Sequence, residues 1–301
     1  MSFSEHRYTS GDGLSLYYRD YGSKDNRDTI LCLPGLTRNC RDFHELALRY
    51  AQRYRVICAD PRGRGMSDRD PNWKNYNIAT YMKDMHQLFD VAGVDRAIFM
   101  GTSMGGLISM TMAYQQPGRV KAIILNDIGP EADPAGIKRI LGYVGRRAAV
   151  NDWDEAVTQL QNTYGGALPD QPREFWEKHV RLSYTEGADG QPVPDMDPKI
   201  GDAIRHSVRV LPWLRLLRSL RLVKQVHGVP IDAWDSFRAV NMPCLVMRGK
   251  LSDILSEEIV ERMRAVKPDL QVATIPGIGH SPYIEGAEML AAIDGFLAGL
   301  E

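Results

Sequence analysis

The sequence predicts an α/β architecture, a mostly parallel doubly wound sheet interrupted by a helical insertion. Three observations predict it. Short apolar runs recur at 29–34, 55–60, 96–101 and 120–126, apolar on both faces as buried parallel strands require. Helical periodicity fills the gaps between them, and strand–helix alternation of this kind builds a sheet wrapped on both sides. The alternation lapses near Pro130 and resumes near Met242.

Each element has its own local signal. In "SGDGLSLYYRDYG", Leu14, Leu16 and Tyr18 alternate after a Gly-Asp-Gly turn, which reads as part of an antiparallel pair. Over 77–92, Ile78, Tyr81, Met82, Met85, Leu88 and Phe89 share one helical face, and Gly93 follows as a C-terminal cap. Helix-compatible residues occupy 104–114. The insertion carries helical stretches at 133–150, 153–164, 174–184 and 198–211, with Asp152 as an N-cap and a Pro/Gly-rich break at 188–198. "PCLVMRG" and "LQVATIPG" return to strand character. A last helix carries Met289, Leu290, Ile293, Phe296 and Leu297 on one stripe. The predicted division is a core of 1–130 and 242–301 and a helical cap of 131–241.

Composition narrows the function classes. Lysine plus arginine (37) balance aspartate plus glutamate (38), and no long basic run occurs, so nothing favours nucleic acid. No apolar stretch approaches the roughly 18–20 residues of a membrane span. The N-terminal "MSFSEHRYTSGDG" lacks a charged-then-apolar leader pattern, and the expectation is a cytoplasmic protein with no membrane partner. Cys32, Cys58 and Cys244 lie in strand-like runs and, with Cys40, read as buried reduced thiols. No CxxC pair or HExxH occurs, so no metal is expected, and the serine chemistry read below implies no cofactor.

The chemistry concentrates around "FMGTSMGGLI". Gly101-Thr102-Ser103-Met104-Gly105 fits G-x-S-x-G between a strand and a helix. A strand that turns sharply into a helix presents the serine at the apex, and side chains two positions away on either side would collide across the bend. The following helix aims its N–H groups at the place where negative charge would develop. A serine nucleophile needs a base, and the base needs an orienting acid. His280 lies in the Gly-rich loop "IPGIGHSPYIE" after the last strand, and Asp253 in "CLVMRGKLSDIL" after the preceding one. Asp127 also ends a strand and is the alternative acid; Asp253 is favoured, with Asp127 read as a turn-former or an N-terminal hydrogen-bonder. The expected oxyanion donors are the N–H groups of Met104 and of Leu36 in "LCLPGLTRN", where Gly35 would let the backbone come close. Arg38 and Asn39 lie near the mouth. From the cap, Trp153, Tyr164, Trp176, Trp213 and Trp234 are expected to line an apolar acyl pocket.

These motifs resemble, in order, those of the α/β-hydrolase superfamily of the type with a helical cap: "LPGLTRN", "DPRGRGMSD", "GTSMGG", "GKLSD" and "GIGHSP", spanning 31 to 282. The resemblance implies an α/β-hydrolase fold and a nucleophile–acid–base order of Ser103, Asp253 and His280. It gives Arg62 and Arg64 a structural rather than catalytic role. A serine at the elbow argues against the branches with a carboxylate nucleophile, the haloalkane dehalogenases and epoxide hydrolases. Many relatives have His-Gly before the oxyanion loop; this chain has Pro34-Gly35. C–C hydrolases of the meta-cleavage type often carry Trp after the base, where this chain has Ser281. The implied function is a serine hydrolase of a small ester, thioester or lactone with an apolar acyl part. A C–C hydrolase, an acyltransferase or perhydrolase using the same triad, and a non-catalytic binding protein on the same fold are the alternatives.

Overall fold

The computed structural model describes residues 3–146 and 149–301. The chain opens with β1 (Phe3–Thr9), β2 (Ser15–Tyr21), β3 (Thr29–Leu33), α1 (His44–Tyr50), β4 (Arg55–Asp60), α2 (Ile78–Ala92), β5 (Ala97–Thr102), α3 (Met104–Gln115) and β6 (Val120–Asn126). An insertion follows: α4 (Pro134–Tyr143), α5 (Trp153–Tyr164), α6 (Arg173–Ser183), the pair β7 (Tyr184–Glu186) and β8 (Pro192–Pro194), α7 (Lys199–Ser219), the pair β9 (Gln225–Val226) and β10 (Val229–Pro230), and α8 (Ala233–Arg238). The chain then completes the core with β11 (Cys244–Gly249), α9 (Glu257–Val266), β12 (Gln271–Ile275) and α10 (Ala287–Ala298).

Among the described residues, eight strands form one sheet in the order β1-β2-β4-β3-β5-β6-β11-β12. The β1–β2 and β2–β4 pairings are antiparallel and the others parallel. Alternate residues of the central strands feed opposite faces. Leu31, Leu33, Ile57, Ala59 and Phe99 join one core with α2 and α3. Ile30, Cys32, Val56, Cys58, Ile98 and Met100 join another with α1 and α10. Two cores back to back explain why these strands read as continuous apolar runs. All four cysteines are buried free thiols, and burial pushes the Cys244 thiol up to about 12.

The local signals translate directly. Asn77 caps α2 by accepting from Thr80 N, and Gly93 ends it in the left-handed conformation at φ 63°. Asp152 caps α5 by accepting from Glu155 N. Two helices of the insertion differ from expectation. The stretch predicted over 133–150 is helical only as α4, and 147–148 lie outside the described residues. Conversely, α7 runs past 211 to Ser219 with Pro212 inside it. Proline removes one helical donor; the carbonyl so freed belongs to Val208, an exposed residue. No helix among the described residues is long and apolar enough to cross a membrane.

The turn after β4 is held by buried charge. Arg62 is 1% exposed; it meets both carboxylate oxygens of Asp84 at 2.8 and 2.6 Å, Asp70 at 2.5 Å, and the more exposed Asp12. One guanidinium therefore ties the loop to α2 and to the β1–β2 turn. Removing it leaves the Asp84 and Asp70 carboxylates buried without a counter-charge. Arg62→Ala is expected to destabilise the fold by about 3–5 kcal/mol in urea titration; a loss under about 1 kcal/mol would contradict this role for the cluster.

Candidate active site

Ser103 occupies the junction of β5 and α3 with φ 49° and ψ −111°, outside the comfortable regions for a residue with a side chain. The surrounding packing imposes that conformation. Ser103 N donates to Asn126 O at 3.0 Å, and the Ser103 carbonyl accepts from Gly106 N at 2.9 Å. A Cβ on Gly101 would lie 2.3 Å from the Gly105 carbonyl carbon, and one on Gly105 would lie 2.1 Å from the Leu33 carbonyl oxygen. Glycine at both positions is a steric necessity. Met104 and Gly105 begin α3, so their N–H groups have no partner within the helix.

His280, in the loop between β12 and α10, reaches Ser103 from the other side of this bend. Its Nε2 lies 3.1 Å from Ser103 Oγ, and its Nδ1 lies 2.8 Å from Asp127 Oδ2. A carboxylate only accepts, so Nδ1 carries the proton and Nε2 faces the hydroxyl as acceptor. Asp127 is fully buried at φ 55°, immediately after β6. Its Oδ2 also accepts from Ser252 Oγ at 2.6 Å, and its Oδ1 from Gly249 N at 2.8 Å.

The carboxylate joined to His280 is thus Asp127, not the favoured Asp253. Asp253 is bound instead by Arg139 of α4, Nε to Oδ2 at 2.6 Å and Nη2 to Oδ1 at 2.7 Å. That pairing, ahead of the opposing effect of burial, holds its carboxyl below the usual range. The reason lies in the turn after β11. Gly249 and Ser252 both donate to Asp127, and the chain then carries Asp253 towards the insertion. The available signal was distance along the chain: Asp127 follows its strand directly, whereas Asp253 comes four residues after β11 ends.

Ser103 and His280 open into a cavity of about 110 Å³. Leu36 lines it, as do Tyr164 and Trp176 of the five aromatic residues assigned to the acyl pocket. Three predicted residues do not. Trp153 packs beneath the Arg181 guanidinium, 3.5 Å from its ring centroid. Trp234 is buried beside Phe237 and donates through Nε1 to Glu131. Trp213 is 70% exposed on α7. Residues that aromatic content did not single out replace them: Ile140, Tyr143, Leu160, Leu168, Tyr283 and Ile284. Arg38 and His179 add polar groups to the wall. Asn39 instead ties its loop to α6 by donating to Leu182 O at 2.8 Å.

Arg64, 1% exposed, touches both residues expected to donate to an oxyanion. Its Nε donates to Leu36 O at 2.9 Å, and Nη2 approaches Met104 Sδ at 3.4 Å, while Nη1 donates to Tyr81 Oη at 2.8 Å. Gly35 is less constrained than expected, since a Cβ there would make ordinary 3.8 Å contact with Ser103 Cβ.

A family model described as alpha/beta hydrolase fold matches residues 28–287. The chain belongs to the α/β-hydrolase family. This α/β hydrolase is 30% identical, over 286 residues, to a 3-hydroxybutyrate-oligomer hydrolase from Cupriavidus necator, spanning 94% of this chain and 92% of the relative. A solved α/β hydrolase from Novosphingobium aromaticivorans superposes with a TM-score of 0.85 at 36% identity, covering 98% of each chain. The solved E-2-(acetamidomethylene)succinate hydrolase superposes with a TM-score of 0.79 at 23% identity, a likeness of fold. Named hydrolases among its relatives make the chain an enzyme of this class.

The elbow packing is open to direct test. Gly105→Ala drives a methyl group into the β3 backbone and is expected to cost at least about 3 kcal/mol in denaturant titration. Gly142→Ala in α4, where a Cβ meets nothing within 4 Å, should instead stabilise by about 0.5–1 kcal/mol. Equal effects of the two substitutions would refute the steric reading.

Proposed function

We propose that this α/β hydrolase cleaves short-chain carboxylic esters through an acyl-enzyme on Ser103. The observation that carries the reading is the unbroken hydrogen-bonded chain Ser103–His280–Asp127 at one end of a small, mostly apolar cavity. His280 Nε2 takes the hydroxyl proton as Ser103 Oγ attacks the ester carbonyl. Asp127 holds the ring in the tautomer that leaves Nε2 free and stabilises the imidazolium that forms. The N–H groups of Leu36 and Met104 receive the oxyanion, and Arg64 positions both residues. His280 then protonates the departing alcohol. It next activates a water that attacks the acyl carbon, releasing the acid and restoring Ser103. No step requires a metal or cofactor.

Cavity size supports a short acyl group. A cavity of about 150 Å³ accommodates a benzene ring, so about 110 Å³ suits an acyl chain of about four carbons. The likeness to a 3-hydroxybutyrate-oligomer hydrolase supports the same range and makes short hydroxyacyl esters the first substrates to test. Residues 131–241 serve as the cap, with Ile140, Leu160 and Trp176 from three of its helices forming the pocket wall. Thioesters and lactones of similar size share the mechanism.

Ser103→Ala is expected to lower kcat/KM on p-nitrophenyl butyrate at least about 10³-fold and to abolish stoichiometric fluorophosphonate labelling. Asp127→Asn should lower kcat about 10⁴-fold, whereas Asp253→Asn should change it less than about threefold. A larger loss at Asp253 than at Asp127 would reassign the acid.

A further inference from the structure

We propose that His179 forms a hydroxyl-binding subsite in the acyl pocket, its Nε2 accepting a hydrogen bond from a hydroxyl carried by the acyl chain of the substrate. The inference rests on the ester-hydrolase reading above and specifies which acyl groups the enzyme prefers.

The geometry fixes what His179 can do. It lies on α6 and lines the same cavity as Ser103 and His280. Its Nδ1 is 2.9 Å from the Phe175 carbonyl one helical turn earlier. A carbonyl only accepts, so Nδ1 carries the proton, and the neutral ring presents Nε2 as a lone-pair acceptor. The ring is clamped by stacking on Phe175 at 3.9 Å between centroids and by Tyr283 at 4.8 Å. Among the described residues Nε2 has no hydrogen-bond partner, and it is not one of the sealed, unpaired buried atoms. The residue is otherwise buried and lines the cavity, so the cavity is the route we assign for a ligand to reach Nε2.

The surroundings keep this ring neutral. Burial first, and the Arg38 charge second, lower its pKa to about 4. At neutral pH the group therefore accepts and does not donate. Its partner must be a donor, which a hydroxyl is and a carboxylate is not.

Arg38 sharpens the choice. A pocket built for an anionic acyl group would present an open guanidinium fork. Here Nε and Nη2 of Arg38 are taken by the two oxygens of Asp42, at 2.8 and 2.5 Å, and Nη1 donates to Ser183 Oγ. The cation is neutralised where it stands, while its field still suppresses protonation of His179. The wall thus offers a neutral acceptor beside a satisfied ion pair, within an apolar lining. An acyl chain without the hydroxyl leaves Nε2 dry and unpaired, which is a stronger basis for discrimination than apolar fit.

The test compares ethyl 3-hydroxybutyrate, ethyl butyrate and monoethyl succinate, with acid release followed by titration. The wild-type enzyme is expected to favour the hydroxy ester over ethyl butyrate by about tenfold or more in kcat/KM, and to turn over the succinate ester no faster than the butyrate. His179→Phe should bring the hydroxy-to-plain ratio close to one, and His179→Gln, which retains an acceptor, should restore part of it. If the Phe variant fails to fold, the wild-type and Gln ratios carry the test. Cleavage of both uncharged esters at equal rates by the wild type overturns the subsite alone. So does an unchanged ratio in His179→Phe, or a preference for the succinate ester. Failure to cleave any of the three, with Ser103 unreactive to fluorophosphonate, overturns the ester-hydrolase reading itself.

Discussion

The site depends on one backbone approach, that of the first turn of α3 onto the end of β3. Because Gly105 sits against the Leu33 carbonyl, the chain leaving β5 must reverse direction within a single residue, and that residue is Ser103. A conformation of this kind carries roughly 1–3 kcal/mol of strain and persists only where its surroundings over-determine it. Two bonded parallel strands, a hydrogen bond from Ser103 N to the end of β6 and the buried helix behind do so here. The same bend sets Ser103 Oγ within reach of His280 and the α3 N-terminus beneath it. The strained residue and the one facing His280 are therefore the same.

Parallel strands end on one edge of the sheet, so loops far apart in sequence converge there. This part of the architecture was legible from the residues. The apolar runs marked the strands, Gly93 and Asp152 marked helix ends, and the elbow glycines marked the serine. His280 was recognisable because it lies in a loop after a strand in the second half of the chain. The identity of its carboxylate partner was not, because Asp127 and Asp253 both follow neighbouring parallel strands. Their difference comes from the turn after β11, where Gly249 and Ser252 bind Asp127, and from Arg139, which draws Asp253 to α4. Neither contact has a signature in spacing.

The insertion was less legible for a related reason. Its aromatic residues announced apolar surface without saying which way each ring faces. Trp176 and Tyr164 meet the cavity, while Trp234 packs into the core and Trp213 lies exposed. Much of the rest of the pocket wall is aliphatic or comes from the loop after His280, neither of which stands out in a helical sequence. Arg64 illustrates the opposite case. Its motif reads as a turn, yet its side chain crosses to Leu36 and Met104 and links the turn to the loop after β3 and to the start of α3. Arg62 in the same motif serves stability instead, through its buried aspartates.

Each of these arrangements matters to chemistry only if the bend at residue 103 presents a reactive hydroxyl to His280 and to the two N–H groups. The most direct measurement is a crystal structure of the protein after reaction with a fluorophosphonate. The account predicts phosphorus bonded to Ser103 Oγ and its phosphoryl oxygen within hydrogen-bond distance of Leu36 N and Met104 N. It also predicts His280 Nδ1 still on Asp127. An adduct on another residue, or His280 turned to Asp253, would contradict it.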